Sequence, residues 1–130
     1  MIVAVNEQDI DAGLRILLVE DHPEVARAQA MLLRALGYRV QVAADGPAAV
    51  DMARSLLPDV AIVDIGLPGF DGYQVARSLR SDPATSSIRL IALTAYGSPE
   101  DRQRAMRSGF ELHLVKPASI DQLRHALAIA

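Results

Sequence analysis

Charged side chains stand at the ends of three mostly apolar segments of the sequence. Glu20 and Asp21 directly follow one such run, and Asp64 follows another. Lys116 follows the third. Carboxylates that lie close together in a partly buried site repel one another unless a cation or a proton intervenes. The pattern therefore predicts a divalent metal ion held beside one reactive carboxylate.

The chemistry that these residue types favour is phosphoryl transfer. Carboxylates from neighbouring strand ends suit Mg²⁺, which prefers oxygen ligands and screens the charge of an approaching phosphoryl group. Asp64 can then attack phosphorus in line and form an aspartyl phosphate. Lys116 supplies a fixed positive charge, and the Thr94 hydroxyl can donate a hydrogen bond to a phosphoryl oxygen. Gly66 lets the backbone approach the metal or the phosphate closely.

The sequence also predicts the strands and helices that would bring these charged residues together. Apolar runs of strand length alternate with segments of helical period, which is typical of βα units around a parallel sheet. In the first helix, Val25, Leu32 and Leu36 are predicted to form the apolar face. The predicted strands are residues 15–19, 40–42, 60–63, 90–93 and 112–115.

The strand patterns predict the order of the sheet as well. The first, third and fourth strands are unbroken apolar runs, as expected where helices cover both faces. The second alternates as Val40-Gln41-Val42, and the fifth carries His113, as edge strands do. We predict an α/β fold with a doubly wound, five-stranded parallel sheet in the order 2-1-3-4-5 and five helices. Its ligand site would lie at the carboxyl ends of strands one and three.

Composition and charge exclude several classes of protein. The 130 residues are enough for one domain with a single core, and the absence of cysteine excludes thiol catalysis and cysteine-bound zinc. A net charge of −3 gives no basic stripe for nucleic acid, and no apolar run approaches the roughly 20 residues of a membrane span. We expect a cytoplasmic protein that contacts neither nucleic acid nor membrane directly, with residues 1–13 as a leader or linker and residues 14–130 as the domain.

Taken together, these residues resemble the receiver domain of two-component response regulators, over about residues 14–130. The resemblance implies a flavodoxin-like fold and a phosphoacceptor module rather than a turnover enzyme. The phosphate donor would be a histidine kinase or a histidine phosphotransfer protein. The motifs that carry the resemblance are Glu20-Asp21, Asp64, Pro68, Gly72, Thr94-Ala95 and Lys116-Pro117.

The resemblance also implies a role for each site residue. Asp64 would accept the phosphoryl group, which Thr94 and Lys116 would contact. In the family the bond between Lys116 and Pro117 is usually cis, and the fourth helix, fifth strand and fifth helix, about residues 99–130, form the interaction surface. The Asp-Ile-Gly-Leu-Pro-Gly and His-Leu-Val-Lys-Pro motifs suggest a receiver from a hybrid histidine kinase. The implied magnesium ligands are Asp21, Asp64 and the Gly66 carbonyl directly, and Glu20 through water.

Two alternative functions compete with this interpretation. A Mg²⁺-dependent phosphatase that forms an aspartyl phosphate usually needs an acid two residues after the nucleophile, where this chain has Gly66. A flavin-binding protein would need a phosphate-binding loop rich in serine, threonine or glycine after the first strand. The sequence from Glu20 to Glu24 offers no such loop.

Several residues outside the main set of site residues also have predicted roles or positions. His113 stands where the family usually has tyrosine or phenylalanine, so either its coupling to Thr94 is weakened or pH-sensitive, or it is a tolerated half-buried residue without a sensing role. Asp71 serves the turn before the third helix. Tyr96 either controls access to Asp64 or covers the rim of the site. His22 and His125 are predicted to be surface residues. The fourth helix is predicted to have a solvated face that could contact a partner, formed by Arg102, Arg104 and Arg107.

Overall fold

The computed structural model describes residues 13–95 and 97–128, and these residues form five strands and five helices. Residues 1–12 of the predicted leader and the candidate gate Tyr96 lie outside the described residues. The strands are β1 Arg15–Val19, β2 Arg39–Ala43, β3 Val60–Asp64, β4 Arg89–Thr94 and β5 Leu112–Val115. The helices are α1 Pro23–Ala35, α2 Gly46–Leu56, α3 Gly72–Ser81, α4 Pro99–Ser108 and α5 Ile120–Ala128.

The sheet has the predicted order and direction. All four neighbouring pairs are parallel, and the order is β2-β1-β3-β4-β5. The central strand β3 is buried along its whole length, whereas every residue of the edge strand β5 is at least partly exposed. In the register, Val19 of β1 pairs with Val63, and Asp64 pairs with Leu93 of β4. The residues at the carboxyl ends of these strands therefore meet at one edge of the sheet.

Helices cover both faces of the sheet and divide the core in two. Alternate residues of each strand point to opposite faces. In β1, Leu17 faces the core formed with α2, α3 and α4, while Leu18 faces the core formed with α1 and α5. Burial of these aliphatic side chains is the main term that favours folding. Within the described residues, none of the helices has the length and apolar character needed to cross a bilayer.

The buried face of α1 differs from the predicted one. Val25, predicted on the apolar face of this helix, is 40% exposed, while Leu32 and Leu36 lie partly buried at the margin of the core. The small alanine side chains allow the helix backbone to lie close to the sheet, although they add little to the apolar pattern of the sequence. The buried positions of α1 are Ala26, Ala30 and Leu33.

The loop after β3 ends in a capping box that fixes the start of α3. The Asp71 carboxylate accepts the backbone N–H of Gln74 at 3.0 Å, and the Gln74 side chain accepts the backbone N–H of Asp71 at 2.9 Å. These two bonds satisfy donors that the first turn of a helix leaves unpaired. The box also anchors the far end of the loop that begins at Asp64.

Gly72, the first residue of α3, packs against the backbone at the end of β3. A Cβ atom there would lie 2.7 Å from Ile65 Cα and 2.8 Å from the Asp64 carbonyl oxygen. Because backbone atoms must move to admit it, we expect Gly72→Ala to lower the free energy of unfolding by roughly 1–3 kcal/mol. Urea unfolding measures this change.

Gly66→Ala is the matched control for that substitution. Its Cβ would meet Asp64 Oδ1 at 3.5 Å, an ordinary van der Waals distance. We expect a change within about 0.5 kcal/mol. Wild-type stability of Gly72→Ala would show that the two segments do not pack as closely as described.

Candidate functional site

The ammonium group of Lys116 joins two of the predicted carboxylates. Its Nζ atom donates to Glu20 Oε1 at 2.8 Å and to Asp64 Oδ2 at 3.0 Å. Glu20 and Asp64 are buried, with 2% and 8% of their surface exposed. Buried charges are tolerated when they are paired and hydrogen-bonded. Lys116, the only lysine of the sequence, thereby links the carboxyl ends of β1, β3 and β5.

The charge of Lys116 is fixed by these contacts. Burial alone lowers the pKa of Lys116, but its hydrogen bonds with Glu20 and Asp64, together with the charges of these carboxylates, outweigh burial and raise the pKa above its ordinary value. The group therefore remains protonated at neutral pH. The peptide bond from Lys116 to Pro117 is cis, as the resemblance implies.

Both carboxylate oxygens of Asp64 are hydrogen-bonded. Oδ1 accepts the backbone N–H of Gly66 at 2.9 Å, and Oδ2 accepts the Lys116 ammonium. Charge-assisted bonds of this kind are stronger than bonds between neutral groups. The carboxylate is thus held in one orientation at the end of β3.

An acidic group that includes His22 lies beside this pair. Asp21 Oδ1 is buried and has no hydrogen-bond partner among the described residues, although His22 Nδ1 lies 3.3 Å away. The ligand-type atoms of Glu20, Asp21 and His22 lie within 4.8 Å of one another. A buried carboxylate oxygen without a partner favours a bound cation. The carboxylate donors at this edge of the sheet fit Mg²⁺, which takes oxygen ligands.

The structure places the predicted metal residues in two groups. Asp64 is not part of the cluster of Glu20, Asp21 and His22, and its carboxylate contacts Lys116 and the Gly66 N–H. His22 is a surface residue as predicted, with 71% of its side chain exposed, yet its ring reaches the cluster. In the sequence, the position of His22 directly after Glu20 and Asp21 is the feature that could have indicated this contact.

A cleft of about 370 Å³ opens over Asp64. Thr94 is 4% exposed, ends β4 and lines this cleft, and its carbonyl oxygen accepts the backbone N–H of Lys116 at 2.7 Å. On the side of the helices the wall is formed by Tyr73 of α3 with Asp101 and Arg104 of α4. The cleft is therefore open to a ligand while the reactive side chains at its floor remain largely buried.

His113 is half-buried on β5, where it pairs with Ala92. Both ring nitrogens are buried and have no hydrogen-bond partner in the part of the chain that the structure describes. Burial lowers the pKa of His113, the charge of Arg102 lowers it further, and Asp101 opposes the shift. The folded protein therefore favours the neutral imidazole.

This shift makes stability depend on pH in a direction that can be tested. Because the folded-state pKa of His113 lies below its ordinary value of 6.5, the unfolded chain binds more protons as the pH falls through that value. The stabilisation is present above the ordinary pKa and is lost below it. As the pH is lowered from about 8 to about 5.5, we expect the free energy of unfolding to fall less in His113→Phe than in the wild type.

Urea unfolding at the two pH values measures the effect, with His125→Gln as the control. His125 is exposed, so its replacement should leave the wild-type pH dependence in place. Equal losses of stability in His113→Phe and the wild type would contradict the assignment to His113.

Comparison with known sequences identifies the family. Residues 16–128 match the family model of the response regulator receiver domain. The response regulator PleD of Caulobacter vibrioides is 40% identical to this chain over 103 residues, which cover 79% of this chain and 23% of PleD. This chain thus spans less than a quarter of the length of that relative.

Solved structures agree with the sequence match. The receiver domain of sensor histidine kinase PA1611 from Pseudomonas aeruginosa PAO1, with a magnesium ion coordinated in its active-site cleft, has a TM-score of 0.81 at 37% identity, covering 88% of this chain and 94% of that chain. The chemotaxis protein CheY4 of Vibrio cholerae has a TM-score of 0.83 at 29% identity, covering 88% and 95%. With this sheet order and the family match over residues 16–128, the chain belongs to the response regulator receiver domains of two-component signalling.

Proposed function

We propose that this receiver domain accepts a phosphoryl group on Asp64 from a phosphohistidine donor, in a reaction that requires Mg²⁺. The observation that carries the proposal is the Asp64 carboxylate at the floor of an open cleft, with the Lys116 ammonium 3.0 Å from its Oδ2 atom. A held carboxylate beside a fixed cation is suited to nucleophilic attack on phosphorus.

In the proposed reaction a carboxylate oxygen of Asp64 forms a bond to phosphorus as the P–N bond of the donor breaks. The electron pair of that bond stays on the imidazole nitrogen of the donor. Lys116 keeps a positive charge at the oxygens of Asp64 and can donate to the transferred group. Thr94 lies at the same floor, where its hydroxyl would contact a phosphoryl oxygen.

The chain would hold Mg²⁺ through Asp21, Asp64 and the Gly66 carbonyl, with Glu20 acting through water. The buried, unpartnered oxygen of Asp21 supports this assignment. When bound, the ion neutralises charge on the phosphoryl oxygens. The magnesium ion in the cleft of the PA1611 receiver domain supports the same choice of metal.

We assign the output to α4, β5 and α5. Exposed apolar side chains on these elements support a contact with a partner: Met106, Val115 and Ile120 are 40–50% exposed.

The proposed donor is a histidine kinase or a histidine phosphotransfer protein. We propose a hybrid histidine kinase as the parent protein, because one similar structure is the receiver domain of a sensor histidine kinase. We further propose a cytoplasmic location, no direct contact with nucleic acid or membrane, and residues 1–13 as a leader or linker to the domain at 14–130.

Intact-mass spectrometry after incubation with acetyl phosphate and Mg²⁺ tests the proposal. We expect a gain of about 80 Da that hydroxylamine removes and a chelator prevents. A chain that takes no phosphate from acetyl phosphate or from a phosphorylated phosphotransfer protein contradicts the proposal. Multiple turnovers of a simple phosphomonoester would favour the phosphatase alternative, although Gly66 offers no side chain to act as its acid.

A further inference from the structure

Arg104 lies in the wall of the cleft and takes no part in the reaction proposed for Asp64, Thr94 and Lys116. Its guanidinium carbon lies 4.0 Å from the centroid of the Tyr73 ring. Both residues line the same cleft as Asp64 and Lys116. The Arg104 guanidinium therefore lies against Tyr73 in the wall of this cleft and is more than part of a solvated face of α4.

Tyr73 provides a rigid platform for this arginine. Tyr73 is only 5% exposed and lies in the first turn of α3, whose start is fixed by the capping box at Asp71. A cation is attracted to the face of a tyrosine ring, and a planar guanidinium stacks on it better than an ammonium group does. The stacking therefore places the guanidinium before any ligand arrives, which reduces the entropy lost on binding.

The charges in the cleft show why a second cation is useful. Lys116 is already shared between Glu20 and Asp64, and Asp101 adds a further carboxylate to the wall. A phosphoryl group brings about 1.5–2 negative charges. Among the described residues that line the cleft, Arg104 and Lys116 are the two that carry a permanent positive charge.

We propose that Arg104, seated on Tyr73, is a second phosphoryl-binding cation of this receiver. It would contact the phosphoryl oxygens of the incoming donor and, after transfer, those of phosphorylated Asp64. Its planar fork can donate two parallel hydrogen bonds to such a group. The inference rests on the proposed phosphorylation of Asp64 and adds to it a residue that sets the affinity for anionic donors.

The matched comparison is Arg104→Gln against Arg107→Gln. Both substitutions remove one positive charge from an exposed position of α4, but Arg107 does not line the cleft. The readout is the second-order rate constant for phosphorylation by acetyl phosphate, in which an Asp64 oxygen bonds to phosphorus and acetate leaves with the electron pair of the P–O bond. We expect a loss of roughly fivefold to twentyfold for Arg104→Gln and less than about twofold for Arg107→Gln.

Three further measurements separate a local contact from a structural effect. The difference between the variants should shrink at high salt, because exposed charges are screened. Tyr73→Leu, which keeps an apolar side chain at the buried position but removes the ring, should give an intermediate loss. The affinity for Mg²⁺, measured by calorimetric titration, should be the same in Arg104→Gln and the wild type.

Equal rate constants for Arg104→Gln and Arg107→Gln would overturn the inference. A wild-type chain that accepts no phosphate on Asp64 would instead contradict the proposed function. In that event, binding of beryllofluoride with Mg²⁺, followed by fluorine NMR, tests Arg104 directly. Weaker binding in Arg104→Gln alone supports the second cation, and equal binding in both variants overturns it.

Discussion

Asp64→Asn is expected to remain folded and to take up no phosphate from acetyl phosphate and Mg²⁺. The amide matches the carboxylate in shape, and its oxygen can still accept the N–H of Gly66. It lacks the nucleophilic carboxylate, so the rate of phosphorylation should fall by roughly a thousandfold or more. Intact-mass spectrometry should show no gain of about 80 Da.

Asp71→Asn is the control for this substitution. Asp71 lies at the far end of the loop that follows Asp64, but its carboxylate caps α3, a role that asparagine performs equally well. This variant should gain phosphate at the wild-type rate. If Asp64→Asn is phosphorylated as fast as Asp71→Asn, the acceptor is a different side chain and our assignment fails.

Lys116→Met is expected to destabilise the protein in the absence of magnesium. The substitution leaves the buried Glu20 and Asp64 carboxylates without their cation. Removing one partner of a buried ion pair costs roughly 3–5 kcal/mol; because 24% of the Lys116 side chain is exposed, we expect about 2–4 kcal/mol. Urea unfolding with a chelator present measures the loss.

Two variants and one titration test the electrostatic origin of that loss. Lys116→Arg keeps the charge and should recover part of the stability. Adding Glu20→Gln to Lys116→Met removes one of the uncompensated carboxylates and should recover another part. Saturating Mg²⁺ should narrow the gap to the wild type, because the ion would bind more tightly where Lys116 no longer compensates the Glu20 and Asp64 carboxylates and would stabilise the folded variant more. An unchanged urea midpoint for Lys116→Met would contradict the described pairing.

Much of the fold and the place of the site were predictable for a simple physical reason. Parallel strands bring their carboxyl ends to one edge of the sheet, so the charged residues that follow apolar runs must gather there. Asp64 and Lys116 are 52 residues apart in the sequence and yet make a hydrogen bond of 3.0 Å. The order of the strands followed from the same patterns, because edge and central strands differ in how continuously apolar they are.

Contacts between helices were not predictable in this way. The stack of Arg104 on Tyr73 depends on the rotation of α3 and α4 about their axes, which the apolar pattern of a short helix fixes only loosely. The buried face of α1 was not predicted for a related reason, since it is formed largely by the small residues Ala26 and Ala30. The ring of His22 could be placed near the acidic pair only once its rotamer was known.

The single lysine makes the site accessible to a chemical reporter. Apart from the amino group at the start of the chain, Lys116 is the only primary amine in this sequence, and its nitrogen contacts the proposed phosphoacceptor. Reductive methylation with ¹³C-formaldehyde would therefore introduce one labelled side chain, located in the cleft. Its methyl resonance would report the change from carboxylate to acyl phosphate without any engineered residue, and its rate of modification would report how often the ion pair opens.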